Sequence, residues 1–145
     1  MNFLNIELES IDENGYEKII KLQDFKGKTI ILYFYPQDDT PVCTQEANKF
    51  NDVIEKLNKD IKVIGVSAND IDEHKEFKEK YKLKFMLISD KYNELKESIL
   101  ENIKPIQNIK RSTFILNKNG EIVKYWEKVD IENHIEDIIN YLKNK

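Results

Sequence analysis

The period of the apolar residues changes several times along this chain, and each change marks an element. Thr29-Ile30-Ile31-Leu32-Tyr33-Phe34-Tyr35 is almost wholly apolar, the pattern of a strand covered on both faces. From Thr44 to Lys59, Ala47, Phe50, Val53, Ile54 and Leu57 recur at spacings of three and four, which predicts an amphipathic helix with its stripe against a sheet. Ile61 to Val66 is a β-branched run of strand length, and Ile71 to Leu83 then brings Phe77 and Tyr81 onto one face of a second helix. Phe85 to Ser89 reads as another short strand, Tyr92 to Leu100 as another short helix, and Glu101 to Lys110 as a loop broken by Pro105.

Turn residues organise the two ends. Phe3 to Leu8 and Tyr16 to Leu22 flank Asn14-Gly15, a hairpin signal, and Phe25-Lys26-Gly27-Lys28 turns the chain into the long apolar strand. Ser112 to Leu116 and Glu121 to Trp126 bracket Asn117-Lys118-Asn119-Gly120, a second hairpin. Asp130 suits the cap of a last helix whose stripe is Ile131, Ile135, Ile138 and Leu142. Strands that alternate with helices, then a hairpin and a closing helix, predict an α/β fold. Its mixed central sheet carries helices on both faces and an N-terminal β-hairpin, the outline of a thioredoxin-like fold. No repeat or Pro/Gly-rich linker divides the 145 residues, so one domain over 1–145 is expected.

Composition narrows the function. Hydrophobic residues at 40% and charged residues at 34% supply both a core and a wet surface, which excludes a disordered tail. The apolar run from Thr29 to Tyr35 falls far short of the roughly 20 residues that cross a bilayer as a helix. The first residues lack a basic region followed by an apolar run, so a cytoplasmic location is expected. A net charge of −4 with interleaved signs argues against a nucleic-acid partner. Arg111 is the sole arginine among 23 basic residues. Where lysine serves everywhere else, a retained guanidinium points to a place that needs its planar fork of donors. Cys43 is also alone, which forbids an intrachain disulfide and fits a reducing compartment. With only His74 and His134 beside it, no zinc-binding spacing exists.

The stretch that carries chemistry runs from the long strand into the first helix. Ligands of open α/β sheets bind at such strand ends. Thr40 followed by Pro41 reads as an N-cap with proline at the first helical position, which places Cys43 in the helix's first turn. Unpaired amides and the positive end of the helix dipole there favour an anionic sulfur.

Pro36, Thr40 and Cys43 form the pattern Pro-x-x-x-Thr-x-x-Cys, and Arg111-Ser112-Thr113-Phe114 stands at the start of a later strand. Together they resemble the peroxiredoxins. The stretch from Phe34 to Ala47 is most similar to the bacterioferritin comigratory protein, or Q-type, subfamily. Leu22 to Lys28 and Asn117 to Gly120 match it as well, so the resemblance covers nearly the whole chain.

The resemblance implies a thiol-dependent peroxidase acting on hydrogen peroxide and organic hydroperoxides, with no metal, haem or flavin. Cys43 would attack the peroxide and become a sulfenic acid. Arg111 would hold the thiolate and donate to the peroxide, and Thr40 would orient it through its hydroxyl. Pro36 would cover the pocket, Glu46 would position Arg111, and the amides of Val42 and Cys43 would stabilise the leaving oxygen. A monomer is expected, since members of the subfamily often are.

Two positions depart from the subfamily pattern. Asn48 stands where many members have a resolving cysteine, so an external thiol, whether thioredoxin, glutaredoxin or a low-molecular-weight thiol, would have to complete turnover. Val42 replaces a common glycine, a substitution other peroxiredoxins share. Asp38 and Asp39 read as turn residues facing solvent, and His74 as a packed histidine. Tyr125 and Trp126 read as packing aromatics. The other readings are a non-catalytic thioredoxin-like module that senses oxidation or binds a partner, and a cysteine hydrolase pairing Cys43 with His74 or His134. A thiol–disulfide reductase would need a second cysteine where Glu46 stands.

Overall fold

The computed structural model describes residues 2–103, 106 and 108–144. Among the described residues, seven strands form one mixed sheet: β1 (Leu8–Ile11), β2 (Glu17–Ile20), β3 (Thr29–Phe34), β4 (Ile61–Ser67), β5 (Met86–Ser89), β6 (Ser112–Leu116) and β7 (Ile122–Trp126). Their order is β2-β1-β5-β4-β3-β6-β7. The three central strands β5, β4 and β3 run parallel, and the pairs β1–β5, β3–β6, β1–β2 and β6–β7 are antiparallel. Four α-helices accompany them: α1 (Pro41–Val53), α2 (Ile71–Tyr81), α3 (Glu94–Asn102) and α4 (His134–Lys143). This is the thioredoxin-like arrangement expected from the sequence.

Alternation along β3 builds two cores. Ile30, Leu32 and Phe34 point to one face, where Leu95 and Ile99 of α3 cover them with Phe3, Leu4 and Leu22. Ile31, Tyr33 and Tyr35 point to the other, against Ala47 and Phe50 of α1, Phe77 of α2 and Ile138 of α4. Both faces of β3 are dry, which is why its sequence is continuously apolar instead of alternating. Cys43 belongs to the second core. There Tyr33 stacks on Phe50 with ring centroids 4.4 Å apart. Gly65 makes this possible: a Cβ at that position would lie 3.1 Å from the Tyr33 ring and 3.0 Å from Leu87 Cδ2.

Several boundaries differ from the sequence reading, each for a local reason. Phe3–Asn5 is a 3-10 turn capped by Asn2, so the first strand begins only at Leu8. The α1 helix starts at Pro41 and gives way to a 3-10 turn, Ile54–Lys56, before the expected end at Lys59. Asp130 does not cap α4: its Oδ1 accepts from the Glu132 amide, and Lys49 Nζ donates to the carbonyls of Ile131 and Glu132 at 3.0 and 3.3 Å. The helix therefore begins at His134, behind Asn133. The α3 helix runs on to Asn102, and Pro105 lies outside the described residues. Among the described residues no helix is long and apolar enough to cross a membrane.

Candidate active site

The loop Tyr35–Thr40 joins the C-terminal end of β3 to α1, and β6 runs antiparallel beside it with Ser112 opposite Phe34. This register delivers Arg111, the residue before β6, to the mouth of α1. Cys43 occupies the third position of that helix and is 1% exposed. Thr44 N donates to Thr40 O at 2.8 Å and is the first amide to close a helical turn. The Val42 and Cys43 amides lie in the open first turn, where helix geometry offers no backbone acceptor.

Arg111 joins the two polar groups of this corner. One guanidinium nitrogen donates to Cys43 Sγ at 3.3 Å and the other to Glu46 Oε1 at 2.7 Å. Only a fork of fixed donors reaches both at once. Burial lowers the guanidinium's proton affinity, but Cys43 and Glu46 outweigh it and leave the arginine's pKa raised. Glu46 is itself 2% exposed, and among the described residues its Oε2 has no hydrogen-bond partner. Burial accordingly pushes its carboxyl up from 4.5 to about 7, against the pull of Arg111.

Thr40 sits at the N-cap position, yet its side chain caps nothing: the hydroxyl donates to Gln37 O at 3.3 Å. Pro36 is exposed and walls a cavity of about 450 Å³ with Tyr35, Val66 and Ile109. That cavity is not lined by Cys43, Thr40 or Arg111. Val42 is 45% exposed beside the cysteine. Thus Arg111 contacts both Cys43 and Glu46, Thr40 and Val42 flank them on the helix end, and Pro36 stands apart on the same loop.

Asp38 is not the solvent-facing turn residue that its neighbours suggest. It is 9% exposed, accepts from Tyr35 Oη at 2.6 Å, and lies 2.6 Å from His74 Nδ1. The signal available in the sequence was His74 on the Phe77 face of α2, a polar group that burial obliges to find a partner. His74 is fully buried, as a packed histidine should be. His134 is also buried and lies 2.7 Å from Thr113 Oγ1. Asp39 does face outward, at φ 61°, where Lys80 Nζ and Tyr81 Oη hold its carboxylate at 2.7 and 2.6 Å.

The raised Glu46 and the depressed His134 give opposed pH dependences. A carboxyl at about 7 in the folded chain and 4.5 when unfolded contributes stability that is complete below 4.5 and lost as pH rises through 7. Burial lowers His134 from 6.5 to about 4, so its contribution is present above 6.5 and lost as pH falls through 4. Glu46→Gln removes the first and leaves the second in place. Chemical denaturation at pH 7 and at pH 4 should then show the variant losing about 2–3 kcal/mol more on acidification than the parent. Equal losses in the two proteins would contradict this assignment.

A cysteine in the first turn of a helix, facing an arginine on a thioredoxin-like sheet, is the arrangement of a thiol-based redox enzyme. The AhpC/TSA family pattern matches residues 2–125. Peroxiredoxin Bcp of Bacillus subtilis is 39% identical over 95% of this chain and 91% of its own. The chloroplastic peroxiredoxin Q of Suaeda salsa is 38% identical over 92% of this chain and 63% of its own. Among solved structures, the bacterioferritin comigratory protein of Xanthomonas campestris superposes with a TM-score of 0.84 at 30% identity, covering 98% of this chain and 92% of its own. The chain belongs to the AhpC/TSA family and, within it, to the peroxiredoxins of the Bcp and Q type, which are thiol-dependent peroxidases.

Proposed function

We propose that this chain is a one-cysteine peroxidase that reduces hydrogen peroxide and organic hydroperoxides at Cys43 with electrons from an external thiol. The observation that carries the reading is Arg111, whose single guanidinium reaches both Cys43 Sγ and Glu46 Oε1 at the open end of α1. The Xanthomonas relative, described for its alkyl peroxide reduction activity, supports organic hydroperoxides as substrates.

In the first step the Cys43 thiolate attacks one peroxide oxygen, the O–O bond breaks, and an S–OH bond forms. Sulfur gives two electrons, and the leaving oxygen departs as hydroxide or alkoxide and takes up a proton. Arg111 holds the thiolate and donates to the peroxide, while the Val42 and Cys43 amides receive the charge that develops on the leaving oxygen. Thr40 Oγ orients the substrate, Glu46 keeps Arg111 in place, and Pro36 restricts water at the loop.

No second cysteine exists to close a disulfide with the sulfenic acid. A thioredoxin, a glutaredoxin or a low-molecular-weight thiol condenses with it, releasing water, and a second thiol frees Cys43. We further infer a single domain over 1–145, acting as a monomer in the cytoplasm.

The test is to mix the reduced protein with one equivalent of hydrogen peroxide, follow Trp126 fluorescence and weigh the product. Trp126 packs edge-on against His134 at 5.4 Å, and His134 against Phe50 at 6.2 Å, so the indole adjoins the core that contains Cys43. The expected result is a change orders of magnitude faster than a free thiol gives, with one oxygen gained on Cys43. A rate no better than a free thiol's would overturn the peroxidase reading in favour of a sensing or binding module.

A further inference from the structure

The short Pro36–Thr40 loop is held from within by a buried acid–base pair that the reaction above does not use. Asp38 Oδ2 lies 2.6 Å from His74 Nδ1, and His74 Nε2 lies 2.9 Å from Ile88 O. A carbonyl oxygen can only accept, so Nε2 carries a hydrogen. Nδ1 then shares one proton with the carboxylate, and the pair is neutral overall whichever partner holds it. Asp38 Oδ1 receives the Tyr35 hydroxyl at 2.6 Å, and the Asp38 amide donates to Asn69 Oδ1 at 2.9 Å. Asn69 Oδ1 also accepts from Ser67 Oγ at 2.7 Å. One side chain is thereby tied to the ends of β3, β5 and α2, and its backbone to the end of β4.

The loop is held from outside to the same helix. Asp39, in the left-handed region at φ 61°, is clasped by Lys80 and Tyr81 of α2. The next residue is Thr40, and Cys43 follows one helical turn later. A burial of charge this deep is costly unless every partner is met, and here each carboxylate oxygen has one. In this arrangement α2 holds the two residues that precede Thr40, and through them the entry to the first turn of α1.

Resting on the peroxidase reading above, we propose that Asp38 and His74 are positioning residues of the peroxide step, fixing the Pro36–Thr40 loop so that Thr40 meets the peroxide in line with Cys43 Sγ. Neither touches the reacting atoms. The effect belongs to reactions that need an oriented substrate, and an alkylating agent that only needs the sulfur is indifferent to it.

The test compares two rates in each variant of the full chain: oxidation by hydrogen peroxide and alkylation of Cys43 by iodoacetamide. Asp38→Ala should slow the peroxide reaction by about 10- to 100-fold and change alkylation by less than about threefold. Asp38→Asn should recover the peroxide rate to within about threefold of the parent, because an amide donates to the free Nδ1 and still accepts from Tyr35. A parental peroxide rate in Asp38→Ala, parallel losses in both reactions, or an Asp38→Asn protein as slow as Asp38→Ala would each overturn the proposal. If Asp38→Ala does not fold, Tyr35→Phe keeps the ring and removes the hydroxyl that holds Asp38. It should lose about threefold or more of the peroxide rate, and an unchanged rate would overturn the proposal. A parent protein no faster than a free thiol would instead mark the failure of the peroxidase reading itself, before any variant is considered.

Discussion

Cys43→Ser is expected to abolish peroxide reduction, with a loss of about 10⁴-fold or more. The chemistry requires an atom that can give two electrons to the O–O bond and keep the transferred oxygen, which sulfur does and a serine hydroxyl does not. The substitution leaves the surroundings nearly unchanged. Cys43 is 1% exposed, belongs to the core cluster that includes Ala47 and Phe50, and accepts from Arg111, and a hydroxyl can still accept from the guanidinium. The variant should therefore melt within about 5 °C of the parent, so the loss belongs to chemistry and not to folding. Peroxide consumption with a thiol present, measured beside a melting curve, decides it. Retained turnover in a folded Cys43→Ser protein would remove the mechanism.

Arg111→Lys is expected to reduce the rate of the peroxide step by about 100- to 1000-fold, or about 3–4 kcal/mol of transition-state stabilisation. The charge survives, so a simple electrostatic account predicts a mild effect. Geometry predicts a severe one. The two guanidinium nitrogens reach Cys43 Sγ at 3.3 Å and Glu46 Oε1 at 2.7 Å at the same time, and no donor set on a single ammonium nitrogen reproduces that spread. With lysine, the ammonium must choose between the two acceptors. Stopped-flow fluorescence of Trp126 under single turnover separates the cases. A loss below about threefold would show that charge alone suffices at this position.

Most elements were readable because their patterns are local. Period-two alternation concealed in a doubly covered strand, helical stripes at three and four, and the turns Asn14-Gly15 and Asn117–Gly120 need only neighbours a few residues away to be understood. The boundaries that moved depend on distant groups. Asp130 is a good cap by type, but Lys49, more than eighty residues earlier, takes the carbonyls on which the helix would have begun. Asp38 is a good turn residue by type, but His74, 36 residues later, draws it inside.

The sequence by itself determined which atoms could do the chemistry: one thiol at a helix start, one guanidinium in a chain of lysines, and a motif that few folds share. These are properties of residue type and of spacings within one element, and a linear pattern expresses them. Only the tertiary structure decided how they meet. Arg111 is 68 residues from Cys43, and the antiparallel pairing of β6 with β3 closes that gap. The raised proton affinity of Glu46 follows from the closing of the second core over it, and the hold on the Thr40 loop follows from α2. Burial and contact across the chain set those properties, and they exist only once the two faces of the sheet are covered.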